Sequence, residues 1–429
     1  MQTWFACVRS KGQTHRFAPT KGTMRDVYIL GLGQTEVGEH WETSLRHLAL
    51  VAIEAALKDG GAGANGHSPR PEAIFVSNML AGQLSGQEHL GALIADFCGL
   101  RGIEAATVEA AGASGGMAFR QAYLAVASGL MDTALAIGVE KVTDKVGPGV
   151  TSAASSATDS DWEAMQGVTP TASAALLMRR YMHEHHLDVP HFAGFSINAH
   201  TNATTNPHAM YHNTITAEAF AKAPMVADPV NMFDTAPDAD GAAAMVLVGA
   251  DALPRLGLTP SHLLIRVAGS AVATDALAVH DRPDPLFFRA AQLSASKALA
   301  QAGINVNEVN VFELHDAFTV FTALSLEALG LAERGLGWRL AADGGISLKG
   351  RAPISTFGGL KARGNPGGAT GMYQIVETAL QLRGQAGANQ IENATWGLAQ
   401  CLGSAGATAV THILQRSRST DFRNRALRA

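Results

Sequence analysis

Apolar positions along this 429-residue chain fall into two kinds of run that alternate. Uninterrupted apolar runs of about four to eight residues, closed by glycine or a polar turn, predict strands buried on both faces. Longer stretches with apolar residues three and four apart predict helices. Val27–Gly31 is of the first kind, and Leu45–Lys58, stopping at Asp59-Gly60-Gly61, is of the second. After a Gly/Ala/Pro loop over 59–72 the pattern predicts a strand at Ala73–Ser77, a helix at Gln87–Cys98, an Ala-rich helix at Gly116–Gly129, and a strand at Thr133–Gly138 that ends in an acidic turn at Glu140. From Val142 to Pro229 the regularity gives way to Ser-, Ala-, Thr- and His-rich chain with short helical pieces, which reads as a functional insertion lying over a site. Strands resume at Ala242–Val248 and Leu263–Ala273. A second cycle follows: helix Phe287–Ala302, strand Asn310–Leu314, helix Ala317–Leu331, a glycine loop to Gly371, helix Met372–Arg383, and strands Thr395–Gln400 and Ala407–Leu414. Two similar cycles predict a duplicated α/β fold with its halves meeting near 255–265.

Composition narrows the class. With 47% apolar residues, 45 Gly and only 16% charged residues the chain can bury a large core, and disorder is excluded. Thirty-two Lys and Arg against 37 Asp and Glu leave a formal charge of −5, which argues against a nucleic-acid partner. The apolar runs are too short for a membrane span. Three scattered cysteines (Cys7, Cys98, Cys401) fit reduced thiols and a cytoplasmic setting better than a disulfide framework. Residues 1–23 are basic and free of acid, and read as an extension before Met24 as the start of the folded protein. Residues 415–429 read as a solvated basic tail.

Candidate chemistry concentrates in four clusters, three of them glycine-bracketed, each joining a predicted strand to a helix or turn, where backbone N–H groups can face an anion. They are Gly112-Ala113-Ser114-Gly115-Gly116, His315-Asp316-Ala317-Phe318, the segment from Gly358 to Gly371, and Cys401-Leu402-Gly403-Ser404-Ala405-Gly406. Gly31-x-Gly33 is too fragmentary for a dinucleotide site. His183, His185, His186 and His191 read as an exposed helix end, and no metal is predicted.

In order and spacing these clusters, with Val108–Ala122, Asp234–Ala244, Phe312–Phe318 and Gln381–Ala386, resemble the thiolase superfamily, in particular its sterol-carrier-protein-type and archaeal branch, over Val27 to Leu414. The resemblance implies the thiolase fold: two βαβαβαββ halves (24–262 and 263–414), each with a five-stranded sheet, stacked as five αβαβα layers. It also implies a homodimer, a coenzyme A thioester as substrate with no tightly bound cofactor, and a small zinc-ribbon/OB-fold partner. Overall similarity suggests an acetyl-CoA acetyltransferase of acyl-CoA and lipid metabolism.

Two positions depart from the family pattern. Where the family carries its nucleophilic cysteine this chain has Gly112, and where it carries Gly-His-Pro this chain has Gly364-Asn365-Pro366. A glycine cannot be acylated, so acyl transfer through this position is not available. By the resemblance, His315 and Asn365 would hold a thioester or enolate oxygen, Cys401 would act as acid and base, and Gly403 would contribute an N–H to a second oxyanion hole. Ser114, His200, Asn206 and Gly368 fall where the family contacts CoA. These parts fit aldol-type or decarboxylative chemistry beside a thioester. The alternative is a catalytically inactive homologue serving as a structural or binding subunit.

Overall fold

The computed structural model describes residues 24–61, 70–145, 147–255 and 264–417. The expected extension (1–23), the last twelve residues of the expected basic tail and the middle of the junction between the halves lie outside them. The first half runs β1 (Val27–Gln34), α1 (Leu45–Asp59), β2 (Ala73–Ser77), α2 (Ala81–Leu84), α3 (Leu90–Phe97), β3 (Glu104–Val108), α4 (Ser114–Ala127) and β4 (Thr133–Glu140). An excursion follows through α5 (Pro148–Ser155), α6 (Pro170–His185), α7 (Ala193–Ala203), α8 (Ala217–Ala221) and a small hairpin, β5 (Met225–Ala227) and β6 (Val230–Asn231), before β7 (Gly241–Gly249). The second half is β8 (Ile265–Thr274), α9 (Arg289–Ala302), β9 (Val311–Leu314), α10 (Thr319–Ala328), α11 (Gly337–Ala342), α12 (Thr370–Arg383), β10 (Trp396–Gly403) and β11 (Thr408–Arg416).

The strand order is β3-β2-β4-β7-β1-β8-β11-β10-β9, which reads the same way outward from its centre. In each half the first strand lies antiparallel to the last, and the last is antiparallel to a strand whose other neighbour is parallel. A bridge from Phe312 to Ile354 stands where β3 stands in the first half, so the expected fifth strand of the second half is reduced to one residue pair. The halves are joined edge to edge by two residue pairs of β1 and β8, Tyr28 with Arg266 and Ile29 with Ile265. The layering follows from which helices touch which strands. α1 and α3 pack on the first half, α9 on the second, and α4 and α12 lie between, each against strands of both. α12 is buried almost all round, as a helix of a middle layer must be.

Gly31 and Gly33 have a packing reason. A Cβ on Gly31 would lie 2.0 Å from the carbonyl oxygen of Ala56 and one on Gly33 2.1 Å from that of Ala52, so α1 rests directly on the backbone of β1. Two elements correct the sequence reading. β3 was not foreseen, because its Glu-Ala-Ala-Thr-Val sequence is half-exposed at an edge. The 142–229 region is more helical than predicted: α6 has 16 residues, opened by Thr169, whose Oγ1 accepts from the Ala172 N–H at 3.1 Å, and α7 has 11. Small and polar residues disguise both.

Candidate active site

The helices of the middle layer begin side by side. A 3-10 turn, Ala111–Ala113, leads into α4, and its counterpart, Gly367–Ala369, leads into α12. Both helices therefore aim unsatisfied N–H groups and the positive ends of their dipoles at one place. Ala111 and Ser404, both non-glycine residues, hold left-handed backbone there, at φ 51° and 54°, a conformation that persists only where surrounding structure enforces it.

A cavity of about 430 Å³ opens at this point. Its floor is Gly112, His315, Asn365 and Gly367. One wall comes from α5, the start of α6 and the turn at Val279, and another from Phe318 and Phe321. The strap Thr235–Asp238 closes a third side. It is stitched to the His315 loop by an antiparallel bridge (Thr235 with Phe318) and to the Asn365 loop by a parallel one (Asp238 with Asn365). The Asn365 N–H donates to the carbonyl of Pro237 at 3.0 Å, and the Ala236 N–H to that of Ala317 at 2.8 Å.

His315 is buried, and burial, seconded by the Arg363 guanidinium, lowers its imidazole to about 4. It is thus neutral near pH 7. Its Cε1–Nε2 edge faces Gly112: a Cβ there would lie 2.9 Å from Cε1, 3.3 Å from Nε2 and 2.7 Å from the backbone oxygen of Leu402. The Oδ1 of Asn365 accepts the Thr370 hydroxyl at 2.7 Å, which leaves the amide Nδ2 to donate.

A buried charge layer holds the two loops in register. Next to His315, Asp316 accepts from the Leu360 N–H at 2.7 Å and the Ser355 hydroxyl at 3.0 Å, and the Lys361 ammonium donates to the carbonyl of Asp234 at 2.6 Å. Burial lowers Lys361 to about 8. Arg363 has its Nε 2.9 Å from Glu377 Oε1 and its guanidinium 4.8 Å from the ring centre of Tyr373. On the opposite side Glu140 accepts from the N–H groups of Met79 and Gly368, at 2.8 and 2.9 Å, and burial raises its carboxyl to about 7.

The other anticipated residues fall elsewhere. Strand alternation turns the Cys401 side chain away from the cavity: Leu402 and Ser404 line it, while the Cys401 thiol packs toward Gly116 and Gly371, where burial pushes it up to about 12. Gly403 lines an adjoining recess that shares Ser404, Ala157 and Thr158 with the cavity. Ser114 fastens the turn before α4, its hydroxyl donating to Ala111 O at 2.6 Å and accepting from the Ala110 N–H at 2.8 Å. The His200 Nδ1–H donates to Asn213 O at 3.1 Å, and Asn206 donates to Phe357 O at 2.8 Å. Gly368 holds Glu140, and its neighbour Gly367 reaches the cavity instead. His183 and His185 end α6, and among the described residues no group of three or more His, Cys, Asp or Glu is placed to hold a metal. No helix among them is long and apolar enough to cross a membrane.

Asp238 is the cavity residue that the sequence reading passed over. Its side chain lines the cavity and is exposed, and the cavity walls packed about it push its carboxyl up. It has no hydrogen-bond or ion-pair partner among the described residues. Asp240, two residues on, is fully buried and binds the Lys141 ammonium at 2.9 Å and the Val142 and Thr143 N–H groups. Three carboxylates within seven residues, Asp234, Asp238 and Asp240, were the available signal.

Known proteins agree with this architecture. Residues 27–251 match the thiolase N-terminal domain, and residues 271–416 match the family described as thiolase C-terminal domain-like. An acetyl-CoA acetyltransferase of Methanothermobacter thermautotrophicus is 41% identical over 92% of this chain and 100% of its own length. The benzoylsuccinyl-CoA thiolase subunit BbsB of Thauera aromatica is 33% identical over 86% of this chain and 92% of its own. Among solved structures the Ltp2-ChsH2(DUF35) aldolase superposes with a TM-score of 0.77 at 24% identity, covering 92% of this chain and 99% of that one. With both domains matched and the duplicated fold in place, the chain belongs to the thiolase superfamily.

Proposed function

We propose that the protein binds acyl-CoA thioesters and makes or breaks a carbon–carbon bond beside the thioester without forming an acyl-enzyme, by aldol-type or decarboxylative chemistry. The observation that carries this reading is the floor of the cavity. By the sequence resemblance Gly112 stands where the family carries its nucleophile; a glycine there offers no side chain to accept an acyl group, and the Leu402 carbonyl and the His315 ring lie close against it. Neutral His315, the Asn365 amide and two helix N-termini instead offer donors to an oxygen gaining negative charge, as an enolate does. The relatives' names support both halves of the proposal: acetyl-CoA acetyltransferase and benzoylsuccinyl-CoA thiolase for the thioester, aldolase for the bond. The words "subunit" and "DUF35" in two of those names support a partner protein, for which the sequence resemblance implies a small zinc-ribbon/OB-fold chain, and the uncovered edge of β3 supports a homodimer. The reduced-thiol composition supports a cytoplasmic location.

The test is calorimetric titration of the full chain with CoA and acetyl-CoA, paired with mass spectrometry of the protein after incubation with acetyl-CoA. Micromolar binding with no mass increment is the expected pair of results. A stable increment of one acetyl group would refute the non-covalent mechanism, and no binding would refute the acyl-CoA site. A second reading, an inactive structural or binding subunit, is favoured by the position of the Cys401 thiol off the cavity wall. Turnover of any thioester by the purified chain would eliminate it.

A further inference from the structure

A site that stabilises an enolate needs a group to take and return the proton. Cys401 is off the wall and its thiol is held at about 12. His315 is neutral and, by its place at the floor, a donor to oxygen. Two carboxylates line the cavity, Glu163 and Asp238. Glu163 is committed to structure: its two oxygens accept the N–H groups of Val279 and Asp159 at 3.0 and 3.1 Å, which ties the cavity's outer wall together. Asp238 alone of the two is unpartnered and reachable from the cavity, on a strap whose backbone is bridged to Asn365 on one side and, through Thr235, to the His315 loop on the other.

We propose that Asp238 is the catalytic acid–base of this site. This rests on the thioester-enolate reading above and adds to it the group that moves the proton. In the exchange half-reaction the Asp238 carboxylate takes a proton from the carbon α to the thioester carbonyl. The C–H bond breaks as the O–H bond forms, and the electron pair moves through carbon onto the thioester oxygen, where His315 and Asn365 donate to it. The reverse step returns the proton and restores the carboxylate. In a retro-aldol reaction the same carboxylate takes the β-hydroxyl proton, the Cα–Cβ pair becomes the enolate, the β-carbon leaves as a carbonyl compound, and the proton on Asp238 is delivered to the α-carbon. No oxidant or cofactor enters either balance. The cavity walls about Asp238 raise its carboxyl above the ordinary carboxylate value, which makes its conjugate base the stronger one, and its open face leaves it free to meet a bound thioester.

The half-reaction can be tested without the native substrate. Propanoyl-CoA is incubated with the full-length protein in D2O, α-deuterium incorporation is followed by mass spectrometry, and binding of the same thioester is followed by calorimetry. Wild type is expected to exchange. The isosteric Asp238→Asn variant is expected to lose about 100-fold or more of the rate while its affinity for propanoyl-CoA and its melting temperature hold. Added formate should restore part of the exchange to Asp238→Ala, a rescue that a structural role would not give. Asp238→Asn exchanging at the wild-type rate would overturn the assignment of Asp238 and leave the enolate reading standing. Wild type that binds propanoyl-CoA without exchanging it would overturn the enolate reading, and this assignment with it.

Discussion

Two residues at the heart of the molecule set opposite limits on what can change. At Gly112 the limit is steric. A side chain would meet a backbone oxygen at 2.7 Å, and a backbone cannot swing aside as a side-chain tip can. Gly112→Cys should therefore destabilise the protein by about 1–3 kcal/mol, as overpacking does, and should not confer thiolysis of acetoacetyl-CoA; denaturant titration and the thiolysis assay read the two. At His412 the limit is electrostatic. Its Nε2–H donates to Gly116 O at 3.1 Å inside the core, and burial holds the ring at about 3. The unfolded chain takes up a proton near pH 6.5 that the folded chain refuses until about pH 3. The contribution of this residue is thus complete above 6.5 and is lost as pH falls through that window, by at most about 1.4 kcal/mol per pH unit. His412→Gln should be the less stable protein at pH 7, and the gap should narrow steadily toward pH 4 in parallel melts.

At the scale of elements, the π-helical turn Gly359–Arg363 carries the most concentrated burden, because Arg363 is fully buried beneath the loops of His315 and Asn365. Burial raises Glu377 to about 7 against the pull of Arg363, and Glu313 beside it is raised as well. Arg363→Met should cost about 3–5 kcal/mol by stranding that charge layer, measurable by urea titration, and should weaken thioester binding through the displaced loops. The same scale decides what the sequence could tell. Gly112, His315 and Asn365 were legible because each sits in a turn that leads from a strand or loop into a helix, glycine-rich around Gly112 and Asn365, and such turns converge at one end of an α/β layer. Cys401 belonged to an equally legible cluster, yet its use turns on which face of β10 it occupies, a parity of one residue that no spacing to the other clusters fixes. Asp238 was hidden for another reason. Nothing in the string distinguishes it from Asp240; the difference is that Asp240 has a lysine and two amides around it and Asp238 has none. β3 was missed because an edge strand lacks the apolar run that marks a central one.

For the whole molecule, the sharing of α4 and α12 by both halves means that the core of the middle layer is common to both, so neither half can lose it alone. Differential scanning calorimetry should show one cooperative transition, with equal calorimetric and van't Hoff enthalpies. Two separate transitions would contradict the shared layer. Light scattering should return twice the chain mass of 44.7 kDa if the open edge of β3 is closed by a second copy, and the single mass would refute the homodimer.

The mirrored strand order carries a consequence for descent. A solitary half, with its middle helix bare, would have had no partner for that face except another copy of itself, so an ancestor of one half could have stood only as a symmetric pair with two equal helix starts at its seam. Joining the copies in one chain freed those starts to diverge. Ala-Gly-Ala-Ser on one side and Gly-Gly-Ala-Thr on the other are what that freedom left, and the lopsided cavity between them, histidine and asparagine from one half and a bare glycine from the other, is chemistry that an unfused pair could not have held in a single arrangement.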